Sequence, residues 1–208
     1  MIASLHYLVT NARQAEEACR GGVRWIQLRL KNTPYEAWKE TALSVQEVCI
    51  RYNTILIIND NPKLAKEIGA NGVHLGKEDM PVAEARRLLG PDFLIGGTAN
   101  TFEDVLRHVR DGADYVGLGP FRFTQTKEKL SPILGLTGYE HLLNRLRHEA
   151  ASLPVIAIGG ITATDIPALF ATGIHGIAVS SAIHQSPDPE GQARHFLAEI
   201  HHATASTC

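Results

Sequence analysis

The sequence has no excess of either charge and no long apolar run. Its 20 Lys and Arg residues nearly balance its 22 Asp and Glu residues, which leaves a net charge of −2. It therefore lacks the basic surplus by which proteins bind nucleic acid or anionic membranes. No segment reaches the roughly 20 apolar residues of a membrane-spanning helix, and the first residues lack the basic start of a signal peptide. We expect no nucleic-acid partner and no membrane partner, and any bound anion must be held by a local site.

Cysteine is also scarce. Cys19, Cys49 and Cys208 are the three cysteines of the 208-residue chain, and they form no CxxC pair. Because the cysteines are odd in number and widely spaced, we expect neither a disulfide framework nor a structural zinc site. This usage is typical of a reducing compartment and predicts a cytoplasmic protein. We expect Cys19 and Cys49 to pack as small apolar side chains.

Several catalytic motifs are missing as well. The chain has no GxxxxGK[ST] loop, no GxSxG elbow and no HExxH pair, so no residue pattern indicates a P-loop nucleotide site, a serine hydrolase or a zinc protease.

Short apolar segments alternate with amphipathic segments along the whole chain. The apolar segments are rich in Val and Ile, are too short for helices and mostly end at Gly or a polar residue, which is typical of buried strands. The sequence predicts eight strands, at Leu5–Val9, Val23–Arg29, Ile55–Asn59, Gly72–Leu75, Phe93–Gly96, Tyr115–Gly119, Val155–Ile158 and Gly176–Ser180.

This alternation predicts an α/β protein with a single (β/α)8 TIM barrel, because strict β–α order gives parallel strands and eight such units close into a barrel. An apolar fraction of 44% supplies a full core. We expect one domain over residues 1–208, with a disordered tail from about position 201. An open doubly wound sheet is disfavoured because no GxGxxG sequence follows the first strand.

In this fold the active site lies at the carboxyl ends of the strands. With a period of two, Trp25, Gln27, Arg29 and Lys31 share one face of the second strand, and that polar face points to the lumen and the mouth. Placing Gln27 and Arg29 inward is costly unless a polar group meets them. A solvated strand end with an internal salt bridge is the alternative interpretation.

Two acidic residues follow neighbouring strands. Asp60 comes after the third strand and Asp79 after the fourth, and each alone could belong to a helix start. Beside Arg29 and Lys31, the two acids together are typical of a magnesium site, because Mg²⁺ is held by one or two carboxylates and by substrate phosphates.

The remaining strand ends are rich in Gly and Ser. Gly160 follows the seventh strand, and Ser180 and Ser181 follow the eighth. Such residues let a phosphate approach backbone N–H groups, and a short helix after the eighth strand can add its positive end. The loop after the sixth strand, through residues 121–132, is longer than typical and predicts either a binding loop or a basic surface loop.

Five motifs in order resemble those of the thiamine phosphate synthase family and span nearly the whole chain. They are Gln27-Leu28-Arg29-Leu30-Lys31, Ile58-Asn59-Asp60, Gly72-Val73-His74-Leu75-Gly76-Lys77-Glu78-Asp79, Gly119-Pro120 with Thr124-Gln125-Thr126-Lys127, and Ala157-Ile158-Gly159-Gly160-Ile161.

The resemblance implies that 4-amino-5-hydroxymethyl-2-methylpyrimidine diphosphate is joined to 4-methyl-5-(2-hydroxyethyl)thiazole phosphate, with release of pyrophosphate. It implies a homodimer as the assembly and assigns a role to each site residue. Arg29, Lys31, Asn59 and Lys127 hold the diphosphate, Asp60 and Asp79 place Mg²⁺, Gln27 orients the pyrimidine, and Thr124 and Thr126 with the amides around Gly160, Ser180 and Ser181 receive the thiazole phosphate.

The chain departs from the family pattern at two places. Thr98 and Asn100 stand where the family often has Ser and His, so a hydroxyl contact to phosphate is kept at Thr98 while an imidazole is lost at Asn100. Arg122 stands where smaller residues are common, and either a phosphate contact or exposure to solvent is consistent with its position.

Two other functions stay open at this point. A related thiazole tautomerase shares the barrel and the thiazole phosphate site, but retention of Arg29, Lys31 and Lys127 favours the synthase. A catalytically inert barrel that binds a phosphorylated ligand would not need both acids and all three cations.

Overall fold

The computed structural model describes residues 1–123, 132–149 and 153–205. Its sheet is a closed barrel in which each strand pairs in parallel with the next and β8 returns to β1. The eight strands are β1 Leu5–Val9, β2 Trp25–Leu28, β3 Ile55–Asn59, β4 Gly72–Leu75, β5 Leu94–Ala99, β6 Tyr115–Leu118, β7 Val155–Ile158 and β8 Gly176–Val179. The predicted TIM barrel is therefore confirmed.

Helices cover the outside of the barrel. They are α1 Ala12–Arg20, α2 Tyr35–Arg51, α3 Pro62–Ile68, α4 Val82–Leu89, α5 Phe102–Asp111, α6 Gly135–His148, α7 Ile166–Ala171, α8 Ser181–His184 and α9 Pro189–Ala205, with a 3₁₀ turn at Ala163–Asp165 before α7. Among the described residues, no helix combines the length and the apolar character that crossing a bilayer requires.

Local sequence explains where the helices begin and end. Asn61 accepts a hydrogen bond from Leu64 N at 3.0 Å with Pro62 as the first helical residue, as expected of a cap followed by an N1 proline. Thr101 and Asp104 form a reciprocal capping box at the start of α5. Gly112 ends that helix with φ +80, a conformation that costs glycine little.

Four strands have boundaries that differ from the prediction, and among them β2 also ends at Leu28 rather than Arg29 and β5 begins at Leu94 rather than Phe93. β2 begins at Trp25 rather than Val23, because Val23 N–H donates to the Ala18 carbonyl and closes α1. β5 continues to Ala99 rather than ending at Gly96, because Gly97, Thr98 and Ala99 still pair with β6. β6 and β8 each end one residue early, at Leu118 and Val179.

Specific contacts also set the start of α6 and the end of α9. α6 begins at Gly135, since Gly138 N–H already donates to the Leu134 carbonyl. α9 continues to Ala205, past position 201 where the tail is expected to begin. The reason is that Ile200 is buried and Ala203 packs against the core.

The side chains of β2 divide between two apolar layers. Ile26 and Leu28 belong to the layer between strands and helices, whereas Trp25 belongs to a smaller cluster inside the barrel. The predicted division of this strand into an outward apolar face and an inward face is therefore confirmed. Cys19 and Cys49 are buried free thiols, as expected.

Aromatic rings fill the lumen below the site. The rings of His6 and Trp25 stack with centroids 4.3 Å apart, and Tyr115 meets both edge-on. Gly96 makes this possible, because a Cβ there would lie 2.2 Å from Cζ of Tyr115. The rings close the barrel beneath its carboxyl end.

Candidate active site

Gln27 and Asn59 lie side by side at the carboxyl ends of β2 and β3. Gln27 Nε2 donates to Asn59 Oδ1 at 2.7 Å, and both side chains are buried. This hydrogen bond offsets the desolvation free energy that is lost when an amide side chain is buried inside the barrel. The pairing also fixes which amide atom of each residue remains for a ligand: the Gln27 oxygen and the Asn59 nitrogen.

Arg29 and Lys31 follow on the same face of the chain. Lys31 Nζ forms an ion pair with Asp60 Oδ2. The Arg29 guanidinium is half-buried and has no hydrogen bond or ion pair with any residue in the described ranges. The salt bridge that the alternative interpretation expects at this strand end is therefore present, but it is formed by Lys31 and leaves the positive charge of Arg29 available to an anion.

Asp60 and Asp79 converge above Gly76. Asp79 Oδ2 accepts from Gly76 N at 2.6 Å, and a Cβ on Gly76 would lie 2.8 Å from that oxygen and 4.0 Å from Asp60 Oδ1. Burial first, and then the hydrogen-bonding contact with Asp60, raises the pKa of Asp79 to about 6, although the Gly76 N–H and Lys31 oppose the rise. A cation between two crowded carboxylates stabilises the charged form of both, because its positive charge offsets their mutual repulsion.

This donor set fits magnesium. Within residues 1–123, 132–149 and 153–205, no group of three or more His, Cys, Asp or Glu side chains is arranged to hold a metal. A zinc-type site is therefore not supported by the described side chains, whereas one or two carboxylates completed by water and substrate phosphate are the usual protein contribution to Mg²⁺.

Asp60 also has an unusual backbone. Its φ is +65, in the left-handed region, and its N–H donates to the His74 carbonyl at 2.8 Å. Non-glycine residues rarely adopt this region, and Asp and Asn do so most readily. The conformation turns the Asp60 side chain toward Lys31 and Asp79 rather than along the strand.

Asp104 is a site-supporting residue that the sequence analysis missed. It accepts from Asn100 N at 2.9 Å and from Thr101 N at 3.2 Å, and it pairs with Lys77 at 2.5 Å and with Arg107 at 2.8 Å. Because Lys77 lies two residues before Asp79, the pair ties the loop that carries Asp79 to the start of α5. The Thr101-x-x-Asp104 spacing could have predicted the cap, but not its link to Lys77.

Several forces act on the Asp104 carboxyl group. Burial raises its pKa, but Lys77, the Asn100 N–H and Arg107 together outweigh burial and lower the pKa to about 2. The folded protein therefore binds a proton at Asp104 less readily than the unfolded chain does. The resulting stabilisation is fully present above about pH 4 and is lost as the pH falls through about 2.

We expect Asp104→Asn to lower the free energy of unfolding by about 1 kcal/mol near neutral pH, after allowance for screening of the half-exposed cations. The loss should shrink as the pH approaches 2. Urea unfolding at several pH values measures it, with Glu103→Gln in the same helical turn as the control. A loss of the same size at every pH would contradict the assignment.

Thr98 lies at the top of a hydrogen-bonded column that runs down into the lumen. Its Oγ1 is 3.1 Å from His74 Nε2, and His74 Nδ1 is 3.3 Å from the Tyr115 hydroxyl. Burial raises the pKa of Tyr115, so the phenol keeps its proton and needs an acceptor. If His74 Nδ1 accepts the hydrogen bond of the Tyr115 hydroxyl, Nε2–H donates to Thr98 Oγ1, and the Thr98 hydroxyl proton remains to be donated to another acceptor.

The Arg122 side chain is 49% exposed to solvent, as one of the two alternatives expects, and its guanidinium also forms a two-pronged ion pair with Asp165 that neither alternative included. A phosphate contact of Arg122 stays a prediction. Asp165 lies in the 3₁₀ turn after β7 and is buried. Asn100 likewise has a partner, since its Nδ2 donates to the Gly119 carbonyl, while its buried Oδ1 has none among the described residues.

Gly160, Ser180 and Ser181 lie at the ends of β7 and β8. Gly160 has φ +67, and Ser180 Oγ donates to the Leu8 carbonyl at 3.0 Å, so this hydroxyl is already used. Ser181 begins α8. Predicted site residues Thr124, Thr126 and Lys127 lie outside the described residues, so their place in the site stays a prediction.

Known proteins share this arrangement of sequence and fold. The family model for thiamine monophosphate synthase matches residues 4–183. The thiamine-phosphate synthase of Bacteroides thetaiotaomicron is 52% identical over 180 residues and 86% of either chain. That of Flavobacterium johnsoniae is 52% identical over 176 residues, which cover 85% of this chain and 83% of the relative. The solved structure of thiamine phosphate pyrophosphorylase from Pyrococcus furiosus is 28% identical, with a TM-score of 0.85 over 96% of each chain. As its motifs predict, the chain therefore belongs to the thiamine monophosphate synthase family and is an enzyme of the transferase class.

Proposed function

We propose that this chain, a thiamine-phosphate synthase by family, joins 4-amino-5-hydroxymethyl-2-methylpyrimidine diphosphate to 4-methyl-5-(2-hydroxyethyl)thiazole phosphate at the carboxyl end of its barrel. The observation that supports this most directly is the juxtaposition of positive and negative side chains at one rim. Arg29 brings an uncommitted positive charge, while Lys31, Asp60 and Asp79 form a contiguous charged group beside it.

The reaction balances without a protein nucleophile. The bond between the pyrimidine methylene carbon and the diphosphate oxygen breaks, and its electron pair leaves with pyrophosphate. The thiazole nitrogen then donates its lone pair to that carbon, which forms the new C–N bond and the thiazolium cation. No proton has to move, so the chain needs only to bind, orient and neutralise charge.

Each predicted residue has a role in this scheme. Arg29 and Lys31, with Asn59 and Lys127, hold the diphosphate and stabilise the negative charge that grows on it as the bond breaks. Gln27 orients the pyrimidine through the amide oxygen that Asn59 leaves available, and Thr98 donates its hydroxyl proton to a phosphate oxygen. Thr124 and Thr126, with the backbone at Gly160, Ser180 and Ser181, receive the thiazole phosphate.

Asp60 and Asp79 are the residues that would hold Mg²⁺. When bound, the ion supplies Lewis-acid neutralisation of the diphosphate oxygens. Lys31 pairs with Asp60 in the ligand-free protein, and a diphosphate offers that ammonium group a second anionic partner.

We also propose that the enzyme acts in the cytoplasm, which is supported by two buried thiols that are not in a disulfide. A homodimer stays a prediction from the family resemblance.

The test of the function is to mix the pure protein with both substrates and Mg²⁺ and to measure pyrophosphate. We expect release only when both substrates and the metal are present. Each substrate alone and a chelator-treated sample are the controls. Release from the pyrimidine diphosphate alone would indicate hydrolysis, and no release from the full mixture would favour the tautomerase or the inert barrel.

A further inference from the structure

Arg122 makes more contacts than an exposed loop residue usually does. Its Nη1 donates to Asp165 Oδ2 at 2.6 Å and to the Gly160 carbonyl at 3.1 Å, while its Nη2 donates to Asp165 Oδ1. One planar guanidinium thus joins the loop after β6 to two points in the turn after β7. A two-pronged ion pair of this kind fixes the orientation of the guanidinium plane as well as pairing its charge.

The carboxylate that Arg122 meets is itself held in place. Asp165 Oδ2 accepts from the backbone N and from the Oγ1 of Thr162, both at 2.8 Å. Burial raises the pKa of Asp165, but the bonds from Arg122 and Thr162 outweigh burial and lower it, so the group is ionised at neutral pH. Arg122 is therefore fastened to a rigid point.

The backbone around Arg122 adds two further links. Phe121 N donates to the Ile158 carbonyl at 2.8 Å, and Arg122 N donates to the Gly159 carbonyl at 2.9 Å. With the guanidinium on Gly160, three successive carbonyl groups of the β7 turn accept from residues 121–122. The loop after β6 thus sets the orientation of this turn.

This orientation determines where one amide group points. The Gly160–Ile161 peptide is trans, so its N–H is directed opposite to its carbonyl. Because the Gly160 carbonyl faces Arg122, the Ile161 N–H points to the other side of the turn. Neither the Gly160 N–H nor the Ile161 N–H donates to an acceptor in the described part of the chain.

We propose that Arg122 is a positioning residue for the thiazole phosphate: through Asp165 and the Gly160 carbonyl, it holds the Gly160–Ile161 peptide with its N–H directed at the phosphate. The proposal rests on the proposed function, because it concerns the second substrate of that reaction. We assign Arg122 to the peptide rather than to the phosphate itself, because both N–H groups of Nη1 and one of Nη2 already donate to Asp165 and Gly160.

The test compares Arg122→Gln, Asp165→Asn and the double variant with the wild-type enzyme. We expect each single variant to raise the KM for the thiazole phosphate about tenfold, with the KM for the pyrimidine diphosphate and kcat changed less than twofold. The double variant should be no worse than either single variant, because the two residues act as one unit. Arg122→Lys should restore only part of the affinity, since one ammonium group cannot serve both Asp165 oxygens and Gly160.

Arg86→Gln is the matched control. Arg86 also pairs with an aspartate, Asp114, and donates to carbonyl groups, but it does so where α4 leads into β5, at the amino end of the strands. Its loss should lower the melting temperature without separating the two KM values. A direct readout in ¹⁵N-labelled protein is the amide signal of Ile161, which we expect to shift on addition of thiazole phosphate in the wild type and not in Arg122→Gln.

The outcomes separate the two proposals. If the wild type releases pyrophosphate but Arg122→Gln leaves both KM values unchanged or raises them equally, the positioning role is overturned and the function stands. An Ile161 signal that shifts equally in both proteins overturns it as well. If the wild type releases no pyrophosphate, the proposed function itself has failed.

Discussion

Replacing Arg29 by Gln is expected to lower the rate of pyrophosphate release about 10²- to 10³-fold, the size seen when one fixed charge or donor is removed from a developing anion. The structure gives the reason. Lys31 is paired with Asp60, whereas the Arg29 side chain has no partner among the described residues. Its full charge is therefore available to the departing diphosphate, and Gln keeps the polarity of the side chain but not the charge.

Arg24→Gln is the matched control for this experiment. Arg24 precedes β2 at its amino end and donates to the carbonyls of Cys19 and Val23, so its loss tests the cost of removing an arginine from the same segment. Steady-state rates with both substrates at saturation measure the effect. If Arg29→Gln and Arg24→Gln have equal rates, Arg29 does not belong to the active site.

Replacing Asp60 by Asn is expected to raise the Mg²⁺ concentration for half-maximal rate about 10- to 100-fold. The variant removes one of the two carboxylates above Gly76, and it also releases Lys31. Asn is the appropriate substitution because, like Asp, it tolerates the φ of +65 at this position. A loss of metal affinity can therefore be read without added backbone strain.

Glu78→Gln serves as the control, because it removes a carboxylate from the same loop but not from the pair above Gly76. Magnesium titrations of pyrophosphate release compare the two variants with the wild type. Superimposable titration curves for Asp60→Asn and wild type would remove Asp60 from the metal site and would leave the roles of Arg29 and Lys31 untouched.

Much of the barrel could be predicted from the sequence, because its strands carry a strong local signal. The runs Ile55–Asn59 and Val155–Ile158 are short, β-branched and bounded by turns, and both predictions match the structure. β5 was predicted too short because Gly97 and Thr98 have no apolar side chain to mark them as strand. They pair with β6 through backbone groups, which sequence periodicity does not detect.

The candidate site likewise has features that the sequence predicts and features that it does not. The period of β2 correctly predicted that Gln27 turns inward, but its bond to Asn59 was not predicted and was found only in the structure. The pairs Arg122–Asp165 and Lys77–Asp104 could not be predicted, because each joins loops of different βα units. Their formation depends on distances across the rim, and no local pattern in the sequence encodes them.

The filled lumen has a consequence for how substrates enter the enzyme and how products leave it. His6, Trp25 and Tyr115 pack against one another across the interior of the barrel, so among the described residues the lumen below the site is filled by their rings. Substrates therefore enter, and products leave, through the same opening at the carboxyl end of the barrel. A product that stays bound at the rim therefore occupies the space that the next substrate needs.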